Sequence, residues 1–393
     1  MIKLDPMFEL FKQRKSVLLA GAIMGLYISV FTTVLTAKNQ KKLLMQDITA
    51  FLTGSYILRQ GRVGVLYDPR VQISVAKEIR DFPVTGLLSF RNPPLIAFMF
   101  LPLTYFDTYV AIKIYFAYQL TVLTLFLFYL LKRQGMDCLY VFPVLLSAQF
   151  ITNLIYGQIM GLFFIVLYFI YLSLKNHKDL YVGLLCFFLL LKPQYVILLP
   201  FLFILVRNKL KFVQGFIVAS VLFILSNMAI YGTSFLNDYI SFVFLSEQIS
   251  MGTNLVYSYT LTSYADHFLG LPVRNKVYLV TLVISAILYC FGLVSTYIKR
   301  KKLSLEVLFF VSLVFAMNTN LHTMPADVIL FLLPYLYFVR YSGILRKIAW
   351  IIYFLPLFGF LHMSCFAAVG NILIAIYLLY EYSKKHNIVD PLV

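Results

Sequence analysis

The stretch K-D-L-Y-V-G-L-L-C-F-F-L-L-L-K-P-Q-Y-V-I-L-L-P-F-L-F-I-L-V-R-N-K, residues 178–209, decides how this chain folds. It is apolar for long enough to cross a membrane once, yet basic residues stand at both ends and Lys192-Pro193 interrupts its middle. Lys and Arg beside apolar segments mark the cytoplasmic side. A single crossing would put one cluster outside, so the stretch reads as two short helices, 179–191 and 194–206, bent at Lys192-Pro193. Each has about 13 residues, too few for a hydrocarbon core of about 30 Å. Such segments have to line a locally thinned or water-filled cavity, where protein satisfies the broken backbone.

The composition extends this reading to the whole chain. Of 393 residues 61% are hydrophobic and 12% charged, with a mean hydropathy of +0.87. A soluble domain carries about 25% charged residues, so the fold class is an all-α polytopic membrane protein. Cys138, Cys186, Cys290 and Cys365 all fall in apolar segments without paired spacing, which indicates neither a disulfide framework nor a zinc site. The net charge of +17 does not point to nucleic acid, because 20 of the 33 Lys and Arg sit in short clusters between apolar segments or at the N-terminus. These clusters are Lys132/Arg133, Lys175/Lys178, Arg207/Lys209/Lys211, Lys299 to Lys302, Arg340/Arg346/Lys347 and Lys384/Lys385. That is the pattern of cytoplasmic loops.

Parity between the clusters gives twelve expected crossings, at 16–37, 107–131, 136–151, 157–174, 179–191, 194–206, 212–231, 276–298, 303–320, 325–341, 347–363 and 366–382. Both termini then lie inside. Residues 1–15 form a cytoplasmic N-terminus, and Lys12, Arg14 and Lys15 ahead of 16–37 mark an uncleaved anchor. Residues 38–106 make a first extracytoplasmic loop with juxtamembrane helices, and 232–275 a second. Residues 92–105 are apolar, but counting them as a crossing would put Lys132/Arg133 outside. They are therefore expected as a juxtamembrane or re-entrant helix opened by Pro93-Pro94. No internal repeat is visible, which weakens a transporter built on inverted repeats.

Polar residues stranded beside apolar segments gather on the outward side: Asp47, Arg91, Asn153, Gln158, Lys192, Gln194, His322 and Asp327. Ionisable groups at membrane depth are expensive and usually mark a pathway or site. By residue type, Asp47 suits either a base or the cap of a juxtamembrane helix. A lysine between Leu189-Leu190-Leu191 and Pro193 either meets an anion or snorkels to an interface. Lys41, Lys42, Arg59, Arg62 and Arg91 make the first loop basic, fit for a phosphate or for lipid headgroups. Gln158 can hydrogen-bond a substrate or bridge helices. Asp327 can orient His322 or cap the helix after it. There is no G-x-G-x-x-G after a strand, no P-loop, no D-x-D and no H-E-x-x-H, so no nucleotide-binding domain, cofactor or metal motif is detected.

Five stretches carry a resemblance: M-Q-D-I-T-A-F-L-T-G-S-Y-I-L-R-Q-G-R-V-G-V-L-Y-D-P (45–69), R-N-P-P-L-I-A-F-M-F-L-P-L (91–103), Y-G-Q (156–158), L-L-L-K-P-Q (189–194) and L-H-T-M-P-A-D-V-I-L-F-L-L-P (321–334). In this order and spacing, over roughly three quarters of the chain, the sequence resembles glycosyltransferase family 87. That resemblance implies a GT-C membrane fold and transfer of a hexose, mannose in many members, from a polyprenyl-phosphate donor. The acceptor would be a lipid or glycan hydroxyl on the extracytoplasmic face of the plasma membrane, with inversion and without a metal. Asp47 matches the family's acid in the first outward loop and would be the base. Lys192 would stabilise the departing phosphate, joined by Gln158, Gln194, Arg59 and Arg91. His322 would bind the phosphate or share the base role. A monomer working among membrane lipids is expected. Two other readings need the same cavity: a transporter or flippase of a lipid-linked saccharide, and a polymerase or ligase of lipid-linked glycan.

Overall fold

The computed structural model describes residues 47–79, 88–248, 258–263, 276–320, 323–361 and 363–382. The expected first span 16–37, Lys41, Lys42 and His322 lie outside them. Every regular element among the described residues is helical. The first loop holds α1 (Asp47–Arg59), α2 (Pro69–Ile79) and α3 (Pro94–Phe100), the last tightening into a 3-10 turn over Leu101–Tyr105. Then come α4 (Thr108–Arg133), α5 (Val141–Leu145), α6 (Ala148–Tyr156), α7 (Met160–Lys175), α8 (Asp179–Leu190), α9 (Leu199–Leu205), α10 (Lys209–Tyr231) and α11 (Phe235–Gln248). The rest is α12 (Lys276–Lys299), α13 (Leu305–Asn318), α14 (Leu332–Phe338), α15 (Ile344–Phe354) and α16 (Ser364–Tyr377).

Among the described residues three helices are long and apolar enough to cross a bilayer: α4, α10 and the Leu279–Lys299 portion of α12. Most of their exposed side chains are apolar, among them Ile217, Val221 and Leu225 on α10 and Leu279, Val283 and Ile287 on α12. In water such stripes would be sticky patches; against acyl chains they are an ordinary surface. By contrast α13 is buried on every side apart from Glu306, and residues 325–339 are buried throughout, so these two segments form the centre. The protein is a polytopic helical membrane protein, with three clear candidate spans among the described residues.

The expected count of twelve crossings is not reproduced as twelve straight spans. The expected crossing 136–151 falls in a bent pair that runs on to Tyr156, Cys138–Leu145 and Ala148–Tyr156, at 60°. Ser147 makes the break: its backbone is extended, and its hydroxyl accepts from the Phe150 N–H at 3.1 Å, starting a new helix. Most of the remaining expected spans are apolar helices of 10–17 residues. Two of them begin in 3-10 turns, at Pro193 and Pro325, where proline suits a first turn and no helix can run through.

The hairpin expected at 178–209 is present. Helix α8 leads from Asp179 to the bend, residues 193–198 form a 3-10 turn, and α9 leads back. Its two feet meet, the Asn208 N–H donating to the Asp179 carboxylate at 2.7 Å. Lys192 is extended, φ −128° and ψ 92°, because a proline ring crowds any helical residue before it. The hairpin is anchored along α10. A Cβ built on Gly183 would fall 2.2 Å from the Phe212 carbonyl oxygen, and one on Gly215 2.2 Å from that of Leu180. Without a hydrophobic drive between helices in lipid, such close backbone contact is what holds them.

Helix α10 also fixes the first loop. Fully buried Asn227 accepts from the Leu95 N–H at 2.8 Å, capping α3 where Pro93 and Pro94 cannot. Ser55 of α1 donates to the Ala97 carbonyl at 2.7 Å. Helix α1 is no surface element: Ile48 to Ser55 are all buried.

Gly183→Val should therefore push α8 off α10. Overpacking of this kind costs roughly 1–3 kcal/mol, so the purified protein should melt measurably earlier in detergent. A variant melting with the parent would mean that α8 and α10 are not in backbone contact.

Candidate active site

Asp47 is the first residue of α1, and its surroundings are supplied by three other elements. Helix α6 ends at Gly157, which is left-handed at φ +62°, a conformation glycine takes without strain. The same glycine admits α1: a Cβ there would lie 2.9 Å from the Ile48 Cβ. The next residue, Gln158, donates its side-chain amide to the Asp47 carboxylate. Its backbone carbonyl accepts from Gln119 at 2.9 Å and from the Tyr115 hydroxyl at 3.2 Å, both on α4. Asn153 of α6 in turn donates to the Gln119 carbonyl oxygen at 2.8 Å. Gln158 is thus locked from behind and faces Asp47. Its own side-chain oxygen is buried without a hydrogen-bond partner among the described residues.

The second half of the site is the hairpin apex. Lys192 is buried, and its ammonium lies 3.0 Å from the Asp327 carboxylate and 3.2 Å from the Met160 sulfur. Asp327 is fully enclosed in the 3-10 turn Pro325–Phe331. Its other oxygen accepts from the Met324 N–H at 2.7 Å and from Gln194 at 3.2 Å. Asn320 donates to the Gln194 carbonyl at 2.8 Å. Asp327 therefore does cap its helix, as one of its two expected roles, while also serving as counter-ion to Lys192.

The two halves act on each other. Burial is the main influence on Asp47 and pushes its carboxyl up to about 6. The Gln158 hydrogen bond and the Lys192 charge oppose that rise, and Asp327 adds to it. A carboxylate of this kind is ionised at neutral pH and still basic enough to take a proton. Among the described residues no three of His, Cys, Asp or Glu converge on one point.

The structure thus brings together Asp47, Gln158, Lys192 and Gln194. Arg59 is elsewhere: it stands about 18 Å along α1 from Asp47 at the helical rise, donating to the Thr104 carbonyl and lying 4.7 Å over the Tyr105 ring. Arg91 donates to Ser89 at 3.1 Å in the turn before α3. His322 lies outside the described residues.

Sequence reading left several members unassigned. Gln119 and Tyr115 were legible only as polar atoms inside the span 107–131. Residues 258–263, in a loop without a recognised motif, pack against the site's far side, Tyr259 N–H donating to Thr323 at 2.7 Å and Leu261 N–H to Asn318 at 3.1 Å. The hydroxyls of Ser258, Thr260 and Thr262 form a buried chain at 3.1 and 2.8 Å. The run of Ser and Thr in an otherwise apolar neighbourhood was the available signal.

Residues 90–323 match the family described as glycosyltransferase family 87. Gln158, Lys192 and Gln194 fall inside the matched region, and Asp47 and Asp327 outside it. No curated protein and no solved structure matches the chain.

Removing one partner of a buried ion pair strands the other, at about 3–5 kcal/mol. Lys192→Met and Asp327→Leu should each lower the melting temperature sharply, and the double variant should recover much of the loss. Additive losses in the double variant would mean that the two side chains are not paired.

Proposed function

Because the chain belongs to glycosyltransferase family 87, we propose that this membrane glycosyltransferase takes its sugar from a polyprenyl-phosphate donor. The acceptor in this reading is a lipid or glycan hydroxyl at the extracytoplasmic face of the plasma membrane. The observation that carries it is the half-buried Asp47, its carboxylate desolvated and braced by Gln158 within electrostatic reach of the Lys192–Asp327 pair. Asp47 removes the proton from the attacking hydroxyl as the oxygen approaches the anomeric carbon. The phosphate leaves from the opposite side, so a single displacement inverts the configuration. Positioned base catalysis of this sort contributes about 10²–10⁴-fold.

The leaving phosphate needs a donor or cation as charge develops on it. Two of the Lys192 ammonium protons point at Asp327 and Met160. The third serves the phosphate without breaking the ion pair, and the Gln194 side chain flanks it. An apolar cavity of about 330 Å³ supports a lipid-linked donor. It opens beside Met99, Leu103, Ile114, Tyr118 and Leu162, and its inner wall includes Tyr115 and Gln119, which hold Gln158 from the other side. A hexose, with mannose first among candidates from the family resemblance, is the expected cargo.

Asp47→Asn should lower turnover on a polyprenyl-phosphate sugar by at least about 10²-fold while donor binding changes little. In the parent, kcat/KM should fall as pH drops through about 6, where Asp47 becomes protonated. Removing the amide donor with Gln158→Leu destabilises the carboxylate, so this acid limb should move to higher pH. Near-normal transfer by Asp47→Asn would dismiss Asp47 as the base. Donor movement across vesicles without bond cleavage would favour a flippase instead.

A further inference from the structure

Two basic loops far apart in sequence meet at the foot of the hairpin, away from the site just described. The turn 206–209 between α9 and α10 and the end of α12 enclose a cavity of about 400 Å³. Arg207, Lys209, Arg300 and Lys301 line it together with Ile204 and Leu205, and among the described residues no acidic side chain does. The acid nearby, Asp179, is held by the Asn208 N–H at 2.7 Å and acts on Lys209. The Lys209 ammonium donates to the carbonyls of Ile204 at 3.1 Å and Val206 at 2.6 Å, and to that of Phe203, closing the end of α9. Arg300 is close enough for its charge to act on Lys209, and its guanidinium lies 4.1 Å over the Tyr297 ring.

Topology alone asks that cytoplasmic loops be basic; it does not ask two of them to share a cavity. Like charges gathered in a concave space with low-dielectric walls raise the potential for an anion there. The walls say which anion. Helices α10 and α12 are both membrane spans, and apolar side chains are exposed from the rim along each: Leu210, Val213 and Ile217 on one, Ile298 and Val294 on the other. We propose that this pocket binds the phosphate headgroup of an anionic phospholipid, with its acyl chains lying on these two faces. A soluble phosphate offers the same charge but leaves the apolar rim unused. Basic pockets between spans on the cytoplasmic side are suited to such headgroups.

The test uses the full-length protein in detergent and native mass spectrometry, with phosphatidylglycerol, phosphatidylcholine and inorganic phosphate as separate probes. Phosphatidylglycerol should be retained at least about tenfold better than phosphatidylcholine. The triple variant Arg207→Gln/Arg300→Gln/Lys301→Gln changes exposed or partly exposed side chains, so it should melt like the parent and lose that preference. Lys132→Gln/Arg133→Gln, removing charge at another loop, should keep it. An equal loss in both variants would reduce the effect to general surface charge and overturn the proposal, as would absence of any preference in the parent. Inorganic phosphate bound as tightly as the lipid would also overturn it, in favour of a soluble anion. No sugar transfer is read, so the outcome is independent of the proposed activity.

Discussion

A lysine in a dry interior has to be paired, and the Lys192–Asp327 contact is the constraint around which the centre of this protein is organised. It joins elements that are distant in the chain: the apex of a short hairpin, the first turn of the segment at Pro325, and α7 through Met160. The desolvation of two charges is offset only when the remaining lone pairs and protons are satisfied too. Asp327 meets that condition with its cap to Met324 and its bond from Gln194, and Asn320 holds Gln194 in turn. A hairpin of two helices too short to cross a bilayer is stable here because its tip ends on protein. The same pair then acts on Asp47 across the site, its two charges pulling the carboxyl in opposite directions.

The scaffold uses little of the machinery of a soluble core. Hydrophobic burial does not drive helices together in lipid, so shape and polar contacts do. Helices α8 and α10 touch through glycines, Asn227 caps α3, and Ser55 reaches the backbone of α3 from α1. These contacts converge on α10, which is why one span positions both the first loop and the hairpin. On the opposite flank Asn153, Gln119 and Tyr115 do the corresponding work for Gln158. The residues closest to the proposed chemistry are therefore held in place by a second layer of polar side chains behind them.

Helix α8 separates two electrostatic environments. At its apex the Lys192 cation is matched by an acid and flanked by the Gln194 amide, which suits a reaction in which charge develops briefly. At its foot four cations among the described residues face an open cavity, with the enclosed acid Asp179 nearby, which suits an anion that stays. The helix between them is about 18 Å long at the helical rise. Its length keeps the two apart while its packing on α10 keeps both in place.

Composition, the spacing of basic clusters and the placement of prolines were enough to determine a helical membrane protein, the hairpin bent at Lys192-Pro193, and a gathering of stranded polar residues. These follow from properties that each segment carries alone: hydropathy, charge at segment ends, and the restriction a proline puts on its neighbour. The ordered motifs likewise pointed to the family before any contact was known. Partnership was not legible. That Lys192 faces Asp327, that Gln158 touches Asp47, and that Arg59 reaches the Thr104 carbonyl are outcomes of packing between segments up to 135 residues apart. The straightness of spans was hidden as well, because Ser147 breaks its helix through a local cap that hydropathy does not register. A sequence states which groups must be satisfied; only the tertiary structure decides by whom.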